Sequence, residues 1–231
     1  MEQRTYKTYN QYCATARTLD LVGERWTLLL IRELLTGPKR FGDLQASLRG
    51  LGTGLLTARL KHLEREGLAH KITLPPPART PAYALTEAGE ELGPAVLALA
   101  RWGLKWAMGE RRETETFHPG WAVLGLRACF DAEAAAGLRA VYEFRIDDEF
   151  FHARIDDGTI ETLHGPAQRP DATITISQET FLRVTGQELT LAEAIRSGEA
   201  SASGDSEALS GLRGLFRLPP PQARKPEGTA T

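Results

Sequence analysis

The order of apolar and polar positions divides the chain into a first part with helical periods and a second part that alternates. Tyr9, Tyr12, Cys13, Ala16 and Leu19 recur at helical spacing and predict a short amphipathic helix, Tyr9–Leu19, that Gly23 breaks. Arg25 to Leu35 is almost continuously apolar, as expected of a helix in the middle of a small domain, and Gly37-Pro38 ends it. Arg40 to Leu48 places Phe41, Leu44 and Leu48 on one face. Arg49-Gly50-Leu51-Gly52 reads as a tight turn whose glycines permit positive φ. Thr53 is expected to cap a second helix that runs to about Glu66 and stops at Gly67. Leu68 to Leu74 and Ala82 to Leu85 read as two strands, joined by a proline-rich loop with Arg79 at its tip.

Thr86 caps a long helix with Glu87, Glu90 and Glu91 near its positive end, and Pro94 is expected to kink it. Leu92, Val96, Leu99, Trp102 and Trp106 form an apolar stripe larger than a small core needs, so its surplus reads as a partner surface. Glu110 to Thr116 is charged and poor in apolar residues, which makes it the expected domain boundary. Beyond it, strands are predicted over Leu138–Ile146, Phe151–Ile155, Ile160–His164 and Ala172–Ile176, with Asp-rich turns at Asp147-Asp148 and Asp156-Asp157-Gly158. Three short helices follow, near Glu179–Thr185, Leu191–Ser197 and Glu207–Phe216. The expected class is α+β: a mainly α domain with a two-stranded wing over residues 1–110, then a small antiparallel-sheet α+β domain over 117–218. Residues 219–231 are Pro-rich and polar and read as a disordered tail.

Composition narrows the function classes. With 42% hydrophobic and 25% charged residues the chain is ordinary for a globular protein. The apolar run Trp26 to Ile31 is too short to cross a bilayer, and no charged segment leads into an apolar one as in a secretory leader. No membrane partner is therefore expected and the cytoplasm is the default location. Cys13 and Cys129 make no disulfide framework and no zinc spacing, so neither metal nor cofactor is indicated. No hydrolase elbow, P-loop, dinucleotide fingerprint or His-Glu-x-x-His is present, so no catalytic residue is assigned and the chain does not read as an enzyme. The net charge of −2 hides an asymmetry: residues 1–80 hold 13 Lys and Arg against 7 Asp and Glu, and the rest is acidic. A basic segment on an acidic chain points to nucleic acid.

Helix, turn, helix and hairpin in that order outline a winged helix-turn-helix, whose second helix enters the major groove of DNA. On a 3.6-residue period Leu56, Leu60 and Leu63, extended by Leu55, face the core. Gly54, Ala58, Lys61 and Arg65, flanked by Thr53 and Thr57, face outward. That face is small near its N-terminus and basic further along, which suits close approach with Lys61 and Arg65 on phosphates. Arg59 lies beside the leucine arc, where it either snorkels over the core or reaches a phosphate. Lys39 and Arg40 are further phosphate candidates, and Arg79 is placed to reach the minor groove from the wing. His62 and His70 read as packing or surface residues.

The block Cys13-Ala-Thr-Ala-Arg-Thr-Leu-Asp-Leu-Val-Gly-Glu-Arg-Trp-Thr, with Gly37-Pro-Lys-Arg-Phe41 and Leu55-Leu-Thr-Ala-Arg-Leu60, resembles the HxlR-type family of bacterial winged-helix regulators, relatives of the MarR group. The resemblance covers residues 9–107 and implies a homodimer, held by the Tyr9–Leu19 and Leu92–Trp106 helices, on a two-fold operator in double-stranded DNA. It also implies that a cysteine placed like Cys13 senses oxidants or electrophiles. The competing reading is an inert thiol buried on an apolar helix face, with no basic neighbour closer than Arg17. Pro170-Asp-Ala-Thr-Ile-Thr-Ile-Ser177, Thr180 to Gly186, Ala192 to Gly198 and Gly204-Asp205 resemble the sterol carrier protein fold. This second resemblance implies a sheet and helices around a hydrophobic small molecule, with Phe144, Phe151, Ile174, Phe181, Leu182, Ile195, Leu212 and Phe216 as lining, although each taken singly reads first as plain core. The expected function is a dimeric repressor with a hydrophobic effector. The alternative is a lipid or small-molecule carrier that uses its winged helix only to dimerise.

Overall fold

The helical periods of the first hundred residues become α1 (Ala14–Val22), α2 (Thr27–Leu34), α3 (Phe41–Ser47) and α4 (Thr53–Arg65). The wing β1 (Ala69–Thr73) and β2 (Pro81–Leu85) follows, then α5 (Glu87–Glu90) and α6 (Gly93–Trp106), in the computed structural model. The structure describes residues 8–108, 111–112, 114–212, 214–220 and 222. Leu30, Ile31 and Leu34 of α2, Leu44 of α3 and Leu56, Leu60 and Leu63 of α4 are all at most 1% exposed and form the core of this part. Each such side chain contributes about 1.5–3 kcal/mol by leaving water.

Four local expectations change. The helix of Tyr9–Leu19 starts only at Ala14, because the Asp20 carboxylate accepts from the Thr8 hydroxyl and the Tyr9 amide, both at 2.9 Å, and holds residues 8–13 outside the helix. Gly52, not Thr53, is the N-cap of α4; Thr53 is its first residue, and its Oγ1 accepts from Gln45 Nε2 of α3 at 2.6 Å. Leu55 is 41% exposed and lies outside the core arc it was expected to extend. The long helix is two helices rather than one kinked helix, with Pro94 in the first turn of α6, where a missing N–H costs no intrahelical bond. Thr86 does cap α5: its Oγ1 accepts from Gly89 N at 3.2 Å and donates to the Gly67 carbonyl at 2.6 Å.

The second part opens with a 3-10 turn at Pro119–Trp121 and α7 (Ala122–Cys129), then β3 (Arg139–Ile146), β4 (Glu149–Asp156), β5 (Thr159–His164) and β6 (Ala172–Ile176). It closes with α8 (Gln178–Thr185), α9 (Leu191–Ser197), β7 (Ala200–Gly204) and α10 (Ser206–Gly211). The strand order is β5-β4-β3-β6-β7. The sheet is mixed rather than antiparallel, because β6 pairs parallel with β3, Phe144 opposite Ile174 and Ile146 opposite Ile176. The cause is the chain path: residues 165–171 cross from the end of β5 back to the starting edge, so β6 runs in the direction of β3. α7 and β7 have no counterpart in the pattern reading. β7, Ala-Ser-Ala-Ser-Gly, lacks branched residues, and it is held by its pairing with β6, whose neighbour Asp171 approaches Gly204 too closely for a side chain.

One pleat face of the sheet carries Phe144, Ile146, Ile174 and Ile176, and apolar residues of α7, α8, α9 and α10 pack on it. On the opposite face Glu143 is only 1% exposed. Its carboxylate accepts from Arg145 Nε at 2.7 Å and from the Ala167 amide at 2.8 Å, which pins the crossing segment to the sheet.

The chain separates into compact units between Val96 and Leu97, within α6. The last turns of α6 count with the second unit because Leu104 and Lys105 make contacts there, the Lys105 carbonyl accepting from Gln222 N at 2.7 Å. Of the expected tail, residues 221 and 223–231 lie outside the described residues, but Pro219 is held: its carbonyl accepts from Gln187 Nε2 at 2.8 Å. A Cβ at Gly89 would stand 2.1 Å from the Leu68 carbonyl, whereas one at Gly42 would meet nothing within 4 Å. Gly89→Ala is therefore expected to lower stability by about 1–3 kcal/mol, and Gly42→Ala to leave it unchanged or raised, as read from urea unfolding of the two variants.

Candidate DNA interface and apolar cavity

Burial of Leu56, Leu60 and Leu63, with His62 beside them, sets the rotation of α4 about its axis. The His62 Nε2–H donates to the Leu21 carbonyl at 2.7 Å, so this histidine packs the helix against the end of α1. What remains outside is Thr53, Gly54, Ala58, Lys61 and Arg65, with Thr57 half-buried. The N-terminal half of that face is nearly flat, which lets a backbone approach closely. Thr57 Oγ1 donates to the Thr53 carbonyl at 2.9 Å, leaving its lone pairs toward solvent.

The two arginines of α4 are less available than their positions suggest. Arg59 donates to Glu24 at 2.8 Å, and its side chain is only 20% exposed. Arg65 reaches Glu66 at 2.6 Å and His62 Nδ1 at 2.7 Å. Lys61 keeps an exposed position on the outer face. Sequence periodicity assigns a residue to a face but is blind to acidic neighbours brought in by tertiary packing, as Glu24 is here.

Around α4, Arg40 is exposed at the cap of α3, and its amide donates to Asp43 at 3.0 Å. Lys39 exchanges backbone hydrogen bonds with Tyr83 of β2 at 3.0 and 2.8 Å, which fixes the start of α3 to the wing. Arg79 is exposed on the wing loop at φ +41°. These residues and the outer face of α4 all belong to the first unit.

The two thiols stand in opposite surroundings. Cys13 is exposed and occupies the N-cap of α1 instead of an apolar helix face. Hydrogen bonds from the backbone of Ala16 and Thr15 hold its pKa below the ordinary thiol value. Cys13 is therefore not buried, contrary to the competing reading. Cys129 is buried in α7, and burial pushes its pKa up to about 11.

The second unit contains a cavity of about 900 Å³ between the apolar sheet face and its helices. Six of the eight residues singled out from the sequence line it: Phe144, Ile174, Phe181, Ile195, Leu212 and Phe216. Phe151 and Leu182 do not. Phe151 is buried in the core with its ring stacked on Phe144 at 5.2 Å, and Leu182 is absent from the cavity wall. Ile146 and Ile176 were missed, although the period of two that carries Phe144 and Ile174 also reaches them. Leu104 of α6 and Leu218 also reach the wall.

Gly125, in the middle of α7, faces this cavity as well. Its φ is not positive and an added Cβ would touch nothing within 4 Å. Neither turn geometry nor close packing requires glycine there, and glycine costs a helix interior about 1 kcal/mol relative to alanine. Its effect is to leave the cavity wall clear.

Residues 21–111 match the family model described as HxlR-like helix-turn-helix, and residues 125–222 match the model described as alkyl sulfatase C-terminal. The second match is to a different family from the sterol carrier resemblance read in the sequence. The chain is 41% identical over 90 residues to an HTH-type transcriptional regulator of Mycobacterium tuberculosis, covering 39% of this chain and 56% of the relative, about half of that protein's length. It is 32% identical over 90 residues to the HTH-type transcriptional regulator YvaP of Bacillus subtilis, covering 39% of this chain and 83% of YvaP. The solved structure of the redox regulator HypR in its oxidized form is 32% identical, covers 39% of this chain and 94% of that chain, and superposes with a TM-score of 0.37.

The contrast between the thiols is directly measurable. At mildly alkaline pH one equivalent of iodoacetamide is expected to label Cys13, with Cys129 reacting only after unfolding in denaturant; peptide mapping by mass spectrometry checks which thiol reacts first. The rate at Cys13 should reach half its plateau at a lower pH than a free cysteine does.

Proposed function

This chain belongs to the HxlR-like helix-turn-helix family, and from that premise we propose that it is a DNA-binding transcriptional regulator. It acts as a homodimer on a two-fold operator, as a repressor. The observation that carries this reading is the outer face of α4, flat at Thr53, Gly54 and Ala58 and basic at Lys61, with Arg79 exposed on the adjoining wing. Two copies of such a helix, about 34 Å apart, meet successive major grooves of one duplex. Exposed apolar residues support the dimer: Tyr12 is 97% exposed before α1, and on α6 Leu99 is 55% and Trp102 49% exposed. Because few of these groove-facing side chains make bidentate base contacts, sequence preference rests on Thr53, Thr57, the Arg79 wing and DNA shape. Arg59 and Arg65 serve mainly to brace α4 through Glu24, Glu66 and His62.

The second unit, in this reading, binds a hydrophobic effector in its cavity. Support comes from the cavity's size and apolar wall and from Gly125, kept at a cost to its helix. The sheet-and-helix enclosure is also what a sterol-carrier-like unit provides. Binding that favours one dimer geometry over another changes the spacing of the two α4 helices, and so the affinity for the operator. The same cavity suits a carrier protein, whose winged unit would show no salt-dependent affinity for DNA.

Two measurements separate these readings. Binding of the full chain to its own promoter fragment is expected to weaken steeply with salt. Lys61→Ala and Arg79→Ala should each reduce the slope of log affinity against log salt by about one; affinity independent of salt excludes the regulator. Gly125→Leu is expected to fold with unchanged or higher stability and to lose uptake of the fluorescent probe N-phenyl-1-naphthylamine; undiminished uptake excludes the cavity as the site.

A further inference from the structure

The polar residues of the cavity wall, Cys129 apart, belong to one part of the chain. Thr185, Gln187, Glu188, Thr190 and Glu193 come from a single stretch, the end of α8, the loop after it and the first turn of α9. The walls from β3, β6 and α7 are apolar apart from the protonated Cys129 thiol. An apolar wall with one polar stretch suits an amphiphile with one chain and one head.

The sign of charge in that stretch is specific. Among the described lining residues the charged ones are Glu188 and Glu193, and none is Lys or Arg. Glu193 accepts from the Thr190 amide at 2.7 Å and from the Thr190 hydroxyl at 2.8 Å, and these bonds keep its carboxyl below the usual range, so it stays anionic. The Glu188 side chain is 66% exposed and lies 3.7 Å from Arg183, whose guanidinium also pairs closely with Glu199. Arg183 is thus divided between two carboxylates, and Arg196 is the cation that acts on Glu193. Among the described residues here three carboxylates stand with two guanidiniums, and Glu188 and Glu193 are lining residues of the cavity while Arg183 and Arg196 are not.

We propose that this cavity selects amphiphiles with a cationic head over those with an anionic head, the head lying against Glu188 and Glu193 and the chain against β3, β6 and α7. The proposal rests on the cavity being a ligand site and names the class of ligand. A cation at the rim gains attraction from both carboxylates, an anion is repelled by both, and an uncharged head falls between. The rim is partly exposed, so solvent weakens the discrimination to about tenfold.

The test uses the full chain loaded with N-phenyl-1-naphthylamine. The probe is displaced below micellar concentrations by three ligands of equal chain length: decyltrimethylammonium, decanol and decyl sulfate. Decyltrimethylammonium is expected to displace the probe at about one tenth the concentration of decyl sulfate, with decanol between them, and added salt should narrow the gap. Glu188→Gln with Glu193→Gln should bring the three ligands close together; glutamine at 193 still supplies the acceptor for the cap of α9. Displacement by decyl sulfate at an equal or lower concentration overturns the proposal, as does a preference that survives the double substitution. If the probe binds Gly125→Leu as well as the unaltered chain, the ligand site itself is wrong and the selectivity falls with it; intact probe binding lost in Gly125→Leu but without charge preference sinks the selectivity alone.

Discussion

A helix or a strand can bury only the faces that its period turns inward, and both units of this chain depend on that one-sidedness. In the first unit the arc Leu56, Leu60 and Leu63 enters the core and thereby decides which side of α4 is left for a partner. A rotation of α4 by one position would bury Lys61 and expose Leu60, at a cost no surface contact could offset. In the second unit the period of two puts Phe144, Ile146, Ile174 and Ile176 on one pleat face, and the helices that cover it stop short of filling the space. The same constraint thus leaves a flat basic face on one unit and an apolar cavity in the other.

α6 is the element that belongs to both descriptions. The family likeness extends to residue 111, yet the compact units divide inside this helix, with Val96 buried on one side of the division and Leu104 on the cavity wall on the other. The exposed Leu99 and Trp102 lie between those two positions in the sequence.

Much of the architecture was legible in the chain because it rests on local rules. The helix-turn-helix, the wing and four strands of the second sheet follow from apolar period and turn chemistry. Asp147 and Asp157 take the positive φ that Asp tolerates in turns, as their sequence setting implied. Where the reading failed, a non-local partner was responsible. Tyr9 and Tyr12 fit a helical wheel, but Asp20 claims the backbone before α1. β7 has no strand propensity of its own and exists through pairing with β6. The antiparallel expectation gave way at β6 because the direction of a strand is set by the path of the crossing segment, which no local pattern records.

The site divides in the same manner. By itself the sequence determined the small and basic side of α4 through its period and put Arg79 on the wing through turn chemistry, while the six residues of the cavity wall were named from a resemblance to a ligand-binding fold. Tertiary structure decided which of those residues stay free. It gave Arg59 to Glu24, exposed Cys13 while burying Cys129, and stacked Phe151 against Phe144 in the core. It also brought Glu188 and Glu193 to the wall of a largely apolar cavity. The physical reason is range: hydrophobic period is a property of neighbours in the chain, whereas charge pairing and cavity shape depend on groups that only folding brings together.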